Sequence, residues 1–171
     1  MSLTFILGGA RSGKSNFALK LADGKVVAFI ATALPLDDEM KKRIEKHKKE
    51  RPSHWKTIEV PEDIIQAIKE VKDEDCIIID CLTLWISDLI EKYSDEYIFK
   101  RAEEIAYYAR SIDKEVIVIS NEVGLGIVPE YPLARRYRDI LGRVNQIFTN
   151  LAQKVYFMIS GIPMEVKNET K

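Results

Sequence analysis

The chain has 171 residues, of which 46% are hydrophobic. This length and composition predict one folded domain spanning residues 1–171. Lys and Arg number 26 against 27 Asp and Glu, and this near balance argues against a nucleic-acid-binding protein. No apolar run approaches the roughly 20 residues of a membrane span. The N-terminus shows no signal-peptide pattern, so we expect a cytoplasmic protein.

Short β-branched runs alternate with helical patterns along the chain. Apolar runs predict strands at 3–7, 26–31, 76–80, 115–120 and 154–160, with a shorter strand at 56–60. Helical patterns occupy residues 14–22, 35–50, 61–72, 82–93, 95–112 and 133–154. Strands that are apolar throughout are typical of a sheet covered on both faces. The alternation therefore predicts an α/β fold with a mainly parallel sheet and helices on both faces.

The motif GGARSGKS separates the first strand from the first helix and fits the phosphate-loop pattern G-x-x-x-x-G-K-[ST]. Its glycines allow backbone N–H groups to face phosphate oxygens, and the helix N-terminus adds positive potential. We expect Lys14 to reach the β- and γ-phosphates and Ser15 to bind Mg²⁺. The alternative interpretation is an ordinary glycine turn.

A second magnesium ligand is predicted at Asp80, where the strand CIIID ends. Ligands of open parallel sheets bind at the carboxyl ends of the strands. The alternative is an acidic residue that simply ends a buried strand. The chain has no N-K-x-D guanine-reading sequence, so a small-molecule kinase or a nucleotidyltransferase fits better than a G protein.

The second predicted helix contains Met40, Ile44 and His47 at spacings of four and three. These residues share one helix face, which is expected to point toward the sheet or a cleft. An imidazole there could attack the α-phosphate of a nucleotide and form a covalent intermediate, while Lys48 and Arg51 neutralise phosphates. On position alone, a packed histidine at a helix end is the favoured interpretation.

The segment SNEVGLGIVPEYPLARRYRD, residues 120–139, follows a predicted strand and is expected to be able to close over a site. Glu122 or Glu130 could bind a metal or a substrate hydroxyl. Arg135 and Arg138 share a helix face and could border a phosphate pocket. The alternative is a solvated helix face held by salt bridges.

Four segments together resemble one family over essentially the whole chain: GGARSGKS, IAT…LDDEM..RI..HK..RP.HW.T.E, DCLT and SNEVGLGIVPE…LAR.YRD..GRVNQ. That family is the bifunctional adenosylcobinamide kinase / adenosylcobinamide-phosphate guanylyltransferase of cobalamin biosynthesis and salvage. The resemblance implies phosphorylation of adenosylcobinamide with ATP or GTP. Transfer of GMP from GTP through a GMP–histidine intermediate would follow, giving adenosylcobinamide-GDP and pyrophosphate.

The resemblance also implies a RecA-like P-loop NTPase fold, a homotrimer and a Mg²⁺ cofactor. It makes His47 and Lys14 the catalytic residues and Ser15 and Asp80 the metal ligands. The nucleotide site that it implies consists of Gly8, Gly9, Ala10, Arg11, Ser12, Gly13, Lys14, Ser15, Ala31, Thr32, Ala33, Lys48, Lys49, Glu50, Arg51, Glu59 and Asp80. Two rival interpretations remain: a P-loop kinase of another small alcohol, and a non-catalytic nucleotide-binding module.

Overall fold

The computed structural model describes residues 2–33, 38–60 and 62–169. Within these ranges the strands are β1 (Leu3–Gly8), β2 (Val27–Ala31), β3 (Lys56–Glu59), β4 (Cys76–Asp80), β5 (Glu115–Ile119), β6 (Lys154–Ile159) and β7 (Ile162–Asn168). The helices are α1 (Lys14–Leu21), α2 (Asp38–Glu50), α3 (Ile64–Lys69), α4 (Leu82–Leu89), α5 (Asp95–Ser111) and α6 (Pro132–Leu151).

Over the described residues the strands form one sheet in the order β3-β2-β4-β5-β1-β6-β7. Every neighbouring pair is parallel except β6 and β7, which form an antiparallel edge. The carboxyl ends of β1, β4 and β5 therefore meet at the same sheet edge, with β5 between the other two. The mainly parallel sheet predicted from the sequence is confirmed.

Apolar cores cover both faces of this sheet. In β4, Ile77 and Ile79 belong to the larger core, whereas Cys76 and Ile78 belong to the smaller one. This division follows from the strand pleat, which sends successive side chains to opposite faces. The larger core is formed with α3, α4, α5 and α6, and the smaller core includes Ala18 of α1. Both faces are thus covered, as the continuous apolar runs predicted.

Some element boundaries differ from the sequence prediction. The third helix begins at Ile64 and not near residue 61, because the Asp63 side chain caps it by accepting a hydrogen bond from the Gln66 N–H at 3.1 Å. The fourth helix ends at Leu89. The strand β7 is not predicted from the sequence. None of the described helices is long and apolar enough to cross a membrane.

Candidate active site

The loop between β1 and α1 has the tight geometry that a phosphate-binding loop requires. Gly13 has φ of 95°, a left-handed conformation that glycine adopts without steric penalty. A Cβ atom on Gly8 would lie 2.8 Å from the carbonyl oxygen of Met158 in β6, so a side chain cannot be accommodated there. Because α1 begins at Lys14, the unpaired N–H groups of its first turn border this loop and favour an anion.

Lys14 is buried, and its ammonium group is held against the backbone of the P-loop. Its Nζ atom donates a hydrogen bond to the carbonyl oxygen of Gly9 at 2.6 Å, and the residue is only 8% exposed. Burial lowers the pKa of Lys14, and the nearby Asp80 opposes that shift. The lysine therefore lies where it would meet the phosphate groups of a nucleotide bound by the loop.

Ser15 and Asp80 are brought together by the sheet. The Ser15 hydroxyl donates to Oδ2 of Asp80 at 3.4 Å, although 65 residues separate the two along the chain. Both supply hard oxygen ligands, the type that Mg²⁺ prefers. Among the described residues no group of three or more His, Cys, Asp or Glu side chains could hold a metal. In phosphate-transfer sites Mg²⁺ is usually held by one or two carboxylates together with water and substrate phosphate oxygens.

Thr32, which follows β2, fixes the turn after Asp80. Its hydroxyl donates to the Cys81 carbonyl oxygen at 2.8 Å and accepts from the Cys81 N–H at 2.9 Å. Its own N–H donates to the Asp80 carbonyl oxygen at 3.2 Å. Thr32 is fully buried, so its hydroxyl is engaged by the turn and is not presented to a nucleotide. The neighbouring Ala31 and Ala33 line the cleft described below.

Arg51, immediately after α2, stacks on the ring of Phe29 in β2, with 3.4 Å between its Cζ atom and the ring centroid. Burial lowers the pKa of Arg51, while the carboxylates of Asp80 and Glu59 oppose that shift. Its Nη1 atom is buried and has no hydrogen-bond partner within the part of the chain that the structure describes. Since such a donor is costly to leave unpaired, Arg51 is suited to an anionic ligand. Lys48 forms an ion pair with Glu59 nearby.

Lys14, Ser15, Asp80, Lys48 and Arg51 all line one cleft, which has a volume of about 760 Å³. Its volume falls within the usual range of small-molecule sites, roughly 300–1,000 Å³. The P-loop and Asp80 form one wall, and α2 contributes the other. Residues from the predicted set that line it are Ala10, Arg11, Ser12, Gly13, Lys14, Ser15, Ala31, Ala33, Lys48, Arg51, Glu59 and Asp80. The structure thus brings most of the predicted nucleotide residues into one cavity.

The remaining predicted residues are placed as follows. His47 and Glu50 belong to α2, but their side chains lie outside the described part of the structure. Lys49 is exposed on the same helix. Thr83, Leu84 and Asn121 also line the cleft but are not predicted from the sequence. Ile44, which the helix spacing predicts to face the sheet or a cleft, lines it as well. For Asn121 a signal existed, because it follows a buried parallel strand at its carboxyl end.

The arginines of α6 have structural partners. Nη1 of Arg135 donates to the carbonyl oxygen of Pro129 at 3.0 Å. Arg136 donates to Oδ1 of Asp95 at 2.8 Å and to the Ile90 carbonyl oxygen at 2.7 Å. These contacts tie α6 to the preceding loop and to the start of α5. They favour the structural interpretation of these two side chains over a phosphate pocket.

Solved structures with the same fold include a recombinase and an ATPase. The RadB recombinase matches with a TM-score of 0.53 and 19% identity over 91% of this chain and 73% of its own. An ATPase from the type III secretion system of pathogenic bacteria matches with a TM-score of 0.58 and 9% identity, over 91% of this chain and 50% of its own. At these identities the similarity concerns the fold alone, and it confirms the predicted RecA-like P-loop fold.

Closer sequence relatives cover nearly the whole chain. The bifunctional adenosylcobalamin biosynthesis protein CobP of Pseudomonas aeruginosa is 39% identical over 167 residues, which is 96% of either chain. The protein CobU of Escherichia coli K12 is 36% identical over 180 residues, covering 96% of this chain and 99% of its own. The family model for cobinamide kinase / cobinamide phosphate guanyltransferase matches residues 4–166. This chain therefore belongs to the cobinamide kinase / cobinamide phosphate guanyltransferase family.

Proposed function

We propose that this chain phosphorylates adenosylcobinamide with ATP or GTP and then transfers GMP from GTP to the product, with both reactions in the cleft between the P-loop and α2. The observation that carries the proposal is the composition of that cleft. One wall presents Lys14, Ser15 and Asp80, and the other presents Lys48 of α2 and Arg51 directly after it. A single nucleotide bound between these walls could be approached at either end of its triphosphate.

In the kinase step the hydroxyl oxygen of adenosylcobinamide attacks the γ-phosphorus. The bond from that phosphorus to the β,γ-bridging oxygen breaks, and the nucleoside diphosphate leaves with the bonding electrons. Lys14 and the loop N–H groups stabilise the negative charge on the phosphates, which is the main catalytic task in phosphoryl transfer. We propose that Ser15 and Asp80 hold Mg²⁺, which when bound would neutralise phosphate oxygens.

In the guanylyl step we propose His47 as the nucleophile. A ring nitrogen attacks the α-phosphorus of GTP, the bond to the α,β-bridging oxygen breaks, and pyrophosphate leaves. A phosphate oxygen of adenosylcobinamide phosphate then attacks the same phosphorus and breaks the P–N bond, which restores the imidazole and gives adenosylcobinamide-GDP. Dividing the transfer into two displacements is the advantage of a covalent intermediate. The location of His47 in the last turn of α2, next to a cleft-lining segment, supports this role.

The nucleotide contacts that we propose are the P-loop residues Gly8 to Ser15 together with Ala31, Ala33, Lys48, Arg51 and Glu59. Thr32 is assigned to the support of the Asp80 turn. We further propose that residues 1–171 form one catalytic domain, that it acts in the cytoplasm without a nucleic-acid partner, and that it assembles as a homotrimer. The exposed apolar side chains of Ile162 and Val166 on the edge strand β7 support an assembly interface.

The test is covalent labelling with GTP that carries ³²P at the α-phosphate. Purified protein is incubated with Mg²⁺ and the nucleotide, denatured, and counted for retained label. We expect label that survives base and is lost in acid, as a phosphoramidate is, and that disappears in His47→Ala. The matched control is His54→Ala, because His54 is the other histidine of the chain and is exposed. Retained label in His47→Ala, or none in the wild type with GTP bound, would refute the proposed intermediate.

A further inference from the structure

The loop between β5 and α6, residues 120–131, exposes a row of apolar side chains. Ile127 is 96% exposed and Leu125 is 83% exposed. Three further apolar side chains of this β5–α6 loop are exposed as well: Val123, Val128 and Tyr131. Residues 123–129 carry no charged side chain. Single exposed apolar residues are common on protein surfaces, whereas contiguous ones mark a binding surface.

The β5–α6 loop begins inside the cleft. Its second residue, Asn121, lines the cleft together with Lys14. The Glu122 N–H donates to the carbonyl oxygen of Gly8 at 3.0 Å, which attaches the start of the loop to the P-loop strand β1. The apolar residues that follow therefore extend from the carboxyl edge of the sheet, next to the site proposed for the nucleotide.

The other end of the loop is held by the first turn of α6. Nη1 of Arg135 donates to the carbonyl oxygen of Pro129 at 3.0 Å and to that of Glu130 at 2.5 Å. The Arg135 N–H donates to the carbonyl oxygen of Tyr131 at 3.1 Å. Because both ends are bonded to the body of the protein, the apolar middle of the loop is presented in a preorganised position, which lowers the entropy cost of binding.

Two glycines alternate with the apolar residues in this segment. Neither Gly124 nor Gly126 has the positive φ that favours glycine. A Cβ atom on Gly126 would meet no atom within 4 Å among the described residues beyond its chain neighbours. The fold of the isolated chain therefore does not require glycine at this position. Glycine also serves where a ligand approaches the backbone closely, and the position between Leu125 and Ile127 fits that use.

The acceptor of the kinase step is too large for the cleft to hold beside a nucleotide. The cleft of about 760 Å³ has the size of a site for one small-molecule ligand. The hydroxyl of adenosylcobinamide has to reach the γ-phosphate, whereas its corrin ring has to remain outside the cleft. That ring carries methyl groups and amide side chains on its rim. An uncharged apolar loop suits the methyl groups, and its backbone N–H and C=O groups suit the amides.

We propose that the β5–α6 loop is the contact surface for the corrin ring of adenosylcobinamide, a role that rests on the kinase function proposed above. Leu125 and Ile127 pack against the apolar rim of the ring, and Gly126 lets the ring lie close to the backbone. The substrate thus removes from water the apolar surface that the isolated chain exposes. The assembly surface proposed above lies on β7, three strands away from β5 in the sheet, so the loop is distinct from it.

The experiment measures the KM for each substrate in the full-length protein. Transfer of ³²P from γ-labelled ATP to adenosylcobinamide gives the corrinoid KM and the ATP KM, and protein labelling by α-labelled GTP reports on the nucleotide site. In the double variant Leu125→Ser/Ile127→Ser we expect the corrinoid KM to rise about 10-fold or more, because two apolar contacts are lost. The kcat, the ATP KM and the α-label should change less than about threefold, since these contacts are the same in the ground and transition states.

A second variant tests the close approach of the ring to the backbone. Gly126→Ala adds one methyl group that the isolated chain can accommodate, so Tm should not fall. The corrinoid KM should nevertheless rise roughly 10-fold, because the methyl group displaces the ring. The matched control is Val26→Ser, an exposed apolar residue at the amino end of β2 and so at the opposite edge of the sheet. This control should leave every KM unchanged.

Three outcomes would overturn the inference while leaving the proposed function intact. They are a corrinoid KM near the wild-type value in the double variant, an equal rise in the ATP KM, and a changed oligomeric state of the double variant in sedimentation velocity. The last result would assign the loop to a contact between copies of the chain. Absence of phosphoryl transfer to adenosylcobinamide in the wild type would instead overturn the proposed function, and the inference with it.

Discussion

The substitution Thr32→Val tests whether the turn after Asp80 depends on one buried hydroxyl. Valine has nearly the shape of threonine, so the change opens no cavity and removes only the polar contacts. The Cys81 carbonyl oxygen still accepts the Trp85 N–H at 3.3 Å. The Cys81 N–H, however, loses the acceptor that Thr32 supplies at 2.9 Å. One buried donor left unpaired lowers the free energy of unfolding by about 1–3 kcal/mol.

For a chain of this size a loss of about 2 kcal/mol lowers Tm by roughly 4–8 °C. Thermal and urea unfolding followed by circular dichroism would measure the change. Thr32→Ser keeps the hydroxyl and should recover most of the loss. Thr57→Val, at an exposed position of β3, should stay within about 0.5 kcal/mol of wild type. A Thr32→Val protein as stable as the Thr57→Val control would refute the reasoning that this hydroxyl stabilises the fold.

Two further predictions concern the thiols and α2. Burial raises the pKa of Cys76 and of Cys81 to about 12. Both thiols of the native protein should therefore react with an alkylating reagent about 100-fold more slowly than after unfolding. Rapid labelling of either thiol in the native protein would contradict this prediction. Binding of GTP should slow amide hydrogen exchange in residues 38–50 and leave α5 unchanged. Identical protection of residues 38–50 with and without GTP would count against a nucleotide-dependent position of α2.

The parts of the fold that the sequence predicts are those governed by local pattern and burial. Strands covered on both faces must be apolar throughout, so β1, β4 and β5 stand out as nearly continuous apolar runs. The edge strand β7 does not, because most of its residues are exposed and apolar and polar side chains are mixed in IPMEVKN. The P-loop is likewise predictable, since spacing along one strand–loop–helix unit determines its placement. Asp80 is predictable because it ends a buried parallel strand at its carboxyl end.

The partners of the site residues were not predictable, because they depend on contacts between distant segments. The hydroxyl of Thr32 bonds to a residue 49 positions away, and Arg136 bonds to one 41 positions away. Neither separation leaves a periodic signal in the sequence. Thr32 was assigned to a nucleotide contact by resemblance, whereas the structure gives its hydroxyl a partner within the protein.

The two walls of the cleft differ in how firmly they are held, and the difference matches the two proposed reactions. The P-loop, Asp80 and Asn121 follow strands that are paired on both sides within the sheet. The contacts between α2 and the sheet include the half-exposed Lys48–Glu59 ion pair, and such surface pairs contribute only about 0–1 kcal/mol. In the proposed reactions the substrate hydroxyl attacks the γ-phosphorus and His47 attacks the α-phosphorus, so the two nucleophiles approach different ends of the triphosphate. The firmly paired sheet edge suits the phosphoryl transfer, and the weaker attachment of α2 is the reason we predict that this helix changes position toward the α-phosphate when GTP binds.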